Sequence, residues 1–162
     1  MRKADVIIPT FKPGDKLEKL LRRLLEQSVP VDRVIIMNTE EKYWDSERFE
    51  SLFEGEDTKL TVCHIRQSEF DHGRTRHEGI LKSDADVCIC MTHDCVPYDR
   101  NLVKELLEAL DGGGVRLGDQ QAAAVLHLVA LHALAGLPDV GVAQAAGENN
   151  FVRVHGVLSF PY

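Results

Sequence analysis

Four short polar runs in this 162-residue sequence hold the side chains best suited to chemistry. They are Pro9-Thr10-Phe11, Asn38-Thr39-Glu40-Glu41, the stretch from Arg66 to His77, and Thr92-His93-Asp94. Arg74 and Arg76 carry planar guanidinium forks that can neutralise and bridge phosphate oxygens. Asp94 offers the hard carboxylate oxygen that suits Mg2+ or Mn2+ between two phosphates. Thr10 and Glu40 can hydrogen-bond a base or a ribose. A divalent cation at Asp94 would act as a Lewis acid on the charge that builds on a departing nucleoside diphosphate. Each residue also has a plain structural reading. Thr10 can satisfy backbone at a strand end, Arg74 and Arg76 can pair with Glu69, Asp71 or Glu78, and Asp94 can be a turn residue before Pro97. The spacing does not separate a sugar nucleotide from another nucleotide.

The elements that must position these runs follow from the apolar pattern. Asp5 to Phe11 is a short, nearly continuous apolar run closed by Pro9, as in a buried parallel strand. Pro13-Gly14-Asp15 opens a helix whose Leu17, Leu20, Leu21, Leu24 and Leu25 form one stripe. Lys16, Glu18, Lys19, Arg22, Arg23 and Glu26 take its wet side. Val34 to Met37 is a second strand, Lys59 to Ile65 a third, and Asp86 to Thr92 a fourth. Between them the pattern predicts helices over Trp44–Phe53, started near Asp45-Ser46, and over Arg74–Leu81. A last helix, capped by Asp99, carries Leu102, Val103, Leu106, Leu107 and Leu110. Strands alternating with helices through short connections predict a layered α/β domain with a mainly parallel sheet. In such sheets ligands sit at the carboxyl ends of the strands, where all four polar runs fall.

Composition narrows the function classes. A formal net charge of -7 argues against a general nucleic-acid binder. The amino-terminal sequence has no apolar stretch long enough for a signal peptide, so a cytoplasmic protein is expected, free or peripheral to the inner face of the membrane. Cys63, Cys88, Cys90 and Cys95 crowd largely around one predicted strand; they read as small reduced core residues rather than a disulfide framework or a zinc site. Beyond Asp111 the charges nearly vanish: only Arg116, Arg153, Asp119, Asp139 and Glu148 remain. Residues 1–110 are therefore read as one domain and 111–162 as an atypical tail, out of frame or divergent. Gln120 to Leu137 is apolar almost all round, which predicts a core helix or a misfit tail rather than a membrane span.

Three segments resemble a known family. Val6-Ile7-Ile8-Pro9-Thr10-Phe11 is similar to the opening strand of inverting family 2 glycosyltransferases. Phe70-Asp71-His72-Gly73-Arg74-Thr75-Arg76-His77 resembles the Phe-x-His-Gly-x-Thr-Arg-Asn segment of their rhamnosyltransferase-like branch. Met91-Thr92-His93-Asp94-Cys95-Val96-Pro97 is similar to that branch's Thr-Gln-Asp-Ala-x-Pro, which replaces the usual Asp-x-Asp. The resemblance covers residues 4 to 110 and implies a GT-A (Rossmann-like) fold. It implies that Thr10, Glu40 and Arg76 line a nucleotide pocket with Thr92 and His93 beside it, and that Asp94 binds the metal. The candidate nucleotide-sugar site is thus Pro9, Thr10, Phe11, Glu40, Arg74, Arg76, Thr92, His93 and Asp94. The implied reaction passes a sugar, rhamnose among the candidates, from a UDP- or dTDP-sugar to a hydroxyl of a polysaccharide or lipid-linked acceptor.

The sequence departs from the pattern at His77, where the family has Asn, and at His93, where it has Gln. Residues 111–162 match neither the family's fifth strand, nor its acceptor region, nor its acidic general base; Glu148 is the only glutamate there. A sheet truncated after the fourth strand would leave that strand partly bare and prone to self-association. Two other readings share these residues: a non-catalytic nucleotide-sugar-binding module, and a nucleotidyltransferase, for which Pro9 to Gly14 is a poor phosphate loop.

Overall fold

The computed structural model describes residues 2–111, 124–127 and 151–153. Its strands are β1 (Ala4–Phe11), β2 (Arg33–Thr39), β3 (Lys59–Ile65), β4 (Val87–Cys90), β5 (Ala124–His127) and β6 (Phe151–Arg153). They form one sheet in the order β3-β2-β1-β4-β5-β6, and every pairing is parallel. The helices are α1 (Asp15–Leu25), α2 (Ser46–Glu50), α3 (His72–Ile80) and α4 (Leu102–Asp111). This is the layered α/β arrangement that the alternating pattern predicts.

Residue parity along each strand divides the core in two. Val6, Ile8, Val34, Ile36 and Ile89 face one side, where Leu17, Leu20, Leu21 and Leu24 of α1 and the leucines of α4 cover them. Ile7, Ile35, Met37, Cys88 and Cys90 face the other side with Ile80 of α3. That second layer is tight at Gly79, where a Cβ would stand 2.6 Å from Ile7 Cγ2 and 3.2 Å from Met37 Cγ. Glycine here lets α3 lie close on β1 and β2.

Buried Gln27 fixes the start of α4 from the far end of α1. Its amide donates to the carbonyls of Arg23 (3.1 Å) and Asp99 (3.0 Å), and its side-chain oxygen accepts from the Val103 N–H at 3.1 Å. Asp99 instead accepts from the Asn101 N–H at 2.8 Å, so it shapes the turn before the helix rather than capping it.

Several boundaries differ from the sequence pattern. The helix expected over Trp44–Phe53 is a 3-10 turn (Glu41–Tyr43), the five-residue α2 and a second 3-10 turn (Ser51–Phe53). With few apolar positions there, nothing fixes a longer helix; Trp44 packs on Phe49 at 4.8 Å and Asp45 caps α2 by accepting from the Arg48 N–H. Helix α3 starts at His72, two residues early, because the Asp71 side chain caps it. Strand β4 is shorter than expected, ending at Cys90.

Two expectations for the tail are corrected. Ala124–His127, inside the helix expected over 120–137, is a strand parallel to β4. A run apolar all round suits a buried parallel strand as well as a buried helix, and periodicity cannot separate them. The sheet is also not truncated at β4, which is flanked by β1 and β5. The rest of 112–162, Glu148 included, lies outside the described residues.

Candidate active site at the carboxyl edge of the sheet

The chain order reverses at β1: β2 and β3 lie on one side of it and β4 on the other. Such a switch point opens a crevice at the carboxyl ends of the two diverging strands. Pro9 marks the place. The Ile7 carbonyl accepts from the Met91 N–H at 2.9 Å, so Ile7 turns its backbone to β4, and Pro9, two residues on, turns the same way. The β1–β4 pairing ends at Ile7 with Cys90. Pro9 therefore stands where no ladder donor is required.

The loops leaving β1 and β2 hold the two non-glycine residues with positive φ among those described, Lys12 (49°) and Glu40 (65°). Such conformations cost on the order of 1 kcal/mol each and persist where the surroundings enforce them. Glu40 is well anchored: its N–H donates to the Ile65 carbonyl at 2.8 Å, and its carboxylate accepts from the Gln67 N–H at 2.7 Å. Beneath it, buried Thr10 donates to Asn38 Oδ1 at 3.1 Å, and Asn38 Nδ2 reaches the Glu40 carbonyl (3.1 Å) and His64 Nδ1 (3.0 Å). Thr10 is thus committed to holding the Glu40 loop from below.

Phe11 closes β1 at 39% exposure and meets Tyr43 edge-on at 5.6 Å. Lys12 Nζ lies 5.2 Å from both ring centroids, and Lys42 Nζ lies 5.0 Å from that of Tyr43. This corner offers an aromatic wall with two ammonium groups, suited to a planar base next to negative charge.

The two arginines part company. Arg74 is exposed; its guanidinium donates to the Glu69 carbonyl and sits 3.8 Å from Glu78, which is the structural reading of that residue. Arg76 is half-buried against β4. Its Nη1 donates to the His72 carbonyl at 2.7 Å, while its Nε is buried without a partner. Burial lowers the Arg76 pKa from its ordinary value, with nearby Cys90 acting weakly the other way. Burial likewise pushes the Cys90 thiol up to about 12, so it stays neutral. An arginine cannot shed its proton at ordinary pH, so Arg76 is a desolvated cation with a donor to spare, which an anion would relieve. Thr39 Oγ1 is the other buried polar side-chain atom without a partner among the described residues. By strand parity it shares the α3 face with Met37 and Ile35.

Helix α3 does not offer its own amino terminus to an anion. Asp71 accepts from the N–H groups of Gly73 (3.0 Å) and Arg74 (2.8 Å), and these hold its carboxyl below the usual range, that of Arg74 most. Beyond β4, Thr92 donates to Cys95 Sγ at 2.9 Å, and the Cys95 N–H returns to the Thr92 carbonyl. This tight turn leaves His93 half-buried and Asp94 exposed, its carboxylate meeting, among the described residues, only the Cys95 thiol at 3.9 Å. No group of three or more His, Cys, Asp or Glu residues forms a metal cage among the described residues. A lone uncommitted carboxylate nevertheless fits a Mg2+-type ion that draws its remaining ligands from substrate phosphates and water.

Phe11, Glu40, Arg76, Thr92, His93 and Asp94 thus share the carboxyl edge, Pro9 and Thr10 support it from within the sheet, and Arg74 is tied to the turn after β3 through the Glu69 carbonyl. Sequence reasoning placed Asn38 and Thr39 in a polar run that ends an apolar strand but gave neither a role. It passed over His64 and Tyr43, which carried no signal.

The Glycosyl transferase family 2 model matches residues 5–120. The chain is 29% identical over 107 residues to the O-antigen chain rhamnosyltransferase RfbN of Salmonella typhimurium (strain LT2), across 65% of this chain and 32% of that protein. Its fold is similar to that of S. aureus TarS 1-349, with a TM-score of 0.59 at 14% identity over 88% of this chain and 40% of that one. It is similar also to TarS 1-349 in complex with UDP-GlcNAc, with a TM-score of 0.52 at 17% identity over 68% and 31%. The chain spans about a third of the length of RfbN. The match at 5–120 takes in β1 to β4, the switch point between them and the Thr92-His93-Asp94 turn, and the chain belongs to glycosyl transferase family 2.

Proposed function

We propose that this chain is the donor-binding part of a metal-assisted, inverting glycosyltransferase that takes a UDP- or dTDP-sugar, rhamnose being one candidate sugar. The observation that carries the reading is the half-buried Arg76 guanidinium, its Nε unpartnered, under the crevice between β1 and β4. Phe11 and Tyr43 would stack the base, Glu40 would accept from base or ribose, and Arg76 would meet a diphosphate oxygen. Asp94 would hold Mg2+ or Mn2+ against the diphosphate, with Thr92 and His93 lining the turn beside it. The bound ion would supply Lewis-acid stabilisation of the leaving diphosphate. Attack by an acceptor hydroxyl on the anomeric carbon forms the new glycosidic bond, breaks the bond to the diphosphate and sends the hydroxyl proton to a base. The acceptor would be a polysaccharide or lipid-linked glycan, met in the cytoplasm or at the inner face of the membrane; no helix among the described residues is long and apolar enough to cross one.

Calorimetric titration with UDP and dTDP, each with and without Mn2+, tests the donor site. Binding that needs the metal supports it; no heat at millimolar ligand overturns it. The chain spans about a third of its curated relative. The alternative reading is a module that binds the donor without turning it over. Release of free sugar from a bound donor would exclude that module.

A further inference from the structure

The opposite flank of the sheet, at β3, enters the donor reading only through His64 and Ile65, which support the Glu40 loop. Strand β3 ends the sheet order, so its outer N–H and C=O groups meet no strand among the described residues. Residues of β1, β2 and β4 are nearly all buried, whereas those of β3 are half-exposed or exposed. Proteins usually blunt such an edge with charges, proline or a bulge. Strand β3 has one charge, Lys59 at its start, followed by Leu-Thr-Val-Cys-His-Ile.

Beside this edge runs a groove of about 480 Å3, lined by Leu60, Val62 and His64 from one face of β3 and by Glu50, Phe53 and Glu54. It sets three apolar side chains, Phe53, Leu60 and Val62, beside His64 and two carboxylates, Glu50 and Glu54. Residues 40–57 contain eight carboxylates against Lys42 and Arg48, which accounts for nearly all of the chain's charge of -7. Arg48 is committed to Asp15 (2.5 Å) and Glu18 (2.7 Å) of α1, so it does not offset these carboxylates. A second copy docking here would bring two such anionic segments together, which like-charge repulsion disfavours.

We propose that the β3 edge and its groove form a docking site for an extended, cationic segment of a protein partner. The segment would add as a strand to β3, seat alternate apolar side chains on Phe53, Leu60 and Val62, and set Lys or Arg against Glu50 and Glu54.

The test is fluorescence anisotropy of a labelled peptide of alternating Lys and Val, about ten residues long to match a strand and its flanks, titrated with the full chain. Three controls accompany it: the same peptide N-methylated at alternate amides, an alternating Glu–Val peptide, and a chain carrying Glu50→Lys with Glu54→Lys. The Lys–Val peptide should bind, with affinity falling as salt rises. Each control should weaken binding by about tenfold or more, the scale of losing a few strand hydrogen bonds or ion pairs. No binding of the Lys–Val peptide overturns the proposal. Equal binding of the methylated peptide rules out strand addition and overturns it, as does undiminished binding to the charge-reversed chain. A dimer that excludes the peptide would make the occupant a second copy and overturn it too.

Discussion

Both ends of the parallel strands are polar, and they treat their polar groups in opposite ways. At the amino edge the groups satisfy one another. The Lys3 N–H donates to Asp86, the Ala4 N–H to Asp32, the Ser83 hydroxyl to Asp5, and Arg33 pairs with Asp84 at 2.9 Å. Many of the same residues line a cleft of about 320 Å3. At the carboxyl edge, among the described residues, Arg76 Nε and Thr39 Oγ1 are buried without partners, and Asp94 meets only a thiol. Buried polar groups left open cost stability, and their concentration at one edge supports the proposal that a ligand completes the bonding there. Satisfied polarity at one end holds the strands in register; unsatisfied polarity at the other is available for binding.

The widest expected gap between the edges comes from Asp94→Ala. Even partners of metal ligands cost 10–100-fold, so losing the ligand should weaken metal-dependent UDP or dTDP binding by more than about 100-fold, read by calorimetry. The melting temperature should hold, because Asp94 is exposed. Next, Gly79→Ala would drive a Cβ into Ile7 between the two edges. Overpacking of this kind costs about 1–3 kcal/mol, and denaturant unfolding should show it together with weakened nucleotide binding, since α3 carries Arg76.

Arg76→Met sharpens the contrast. It removes a buried cation with an unmet donor, so the free chain should keep or gain stability while nucleotide affinity falls by about tenfold or more. Loss of stability with unchanged affinity would make Arg76 a packing residue and erase the difference between the edges.

The smallest effect belongs to Asp5 at the amino edge. Burial holds its carboxyl above the ordinary 3.8, against the pull of the Ser83 hydroxyl and Arg33. A raised folded-state pKa means that this group's contribution is fully present below its unfolded value and is lost as pH rises through the folded value. Asp5→Asn should therefore flatten the stability profile in the window just above pH 3.8. It should add up to about 1 kcal/mol at pH 7, with nucleotide binding unchanged. Unfolding curves across that window would check it; a variant less stable at pH 7 would show the carboxylate to be needed ionised.

Much of this was legible in the residues. The apolar runs at Val6–Ile8, Val34–Met37 and Val87–Cys90 have few places to go but a parallel sheet buried on both faces, and the leucine stripe of α1 can only face that sheet. The Phe70–His77 and Met91–Pro97 segments located the edge that carries the candidate site. The strand at Ala124–His127 was not legible, because pairing with β4 is a long-range choice that a run apolar all round leaves open.

From β1 to α4 the sequence by itself determined the period of each element, the order of strands and helices, and which polar residues end up at strand termini. It could not say which parity of a strand, or which side of a helix, lies under which layer. Thr10 and Thr39 stand at the ends of neighbouring strands, yet one is bonded to Asn38 and the other is open on the α3 face. Arg74 and Arg76 are two residues apart, and a helix turns them about 200° from each other. Only the packing of α3 onto β1 and β2 put one guanidinium in water and the other beneath the crevice. Facing is set by contacts between segments far apart in the chain, and local periodicity carries no record of them.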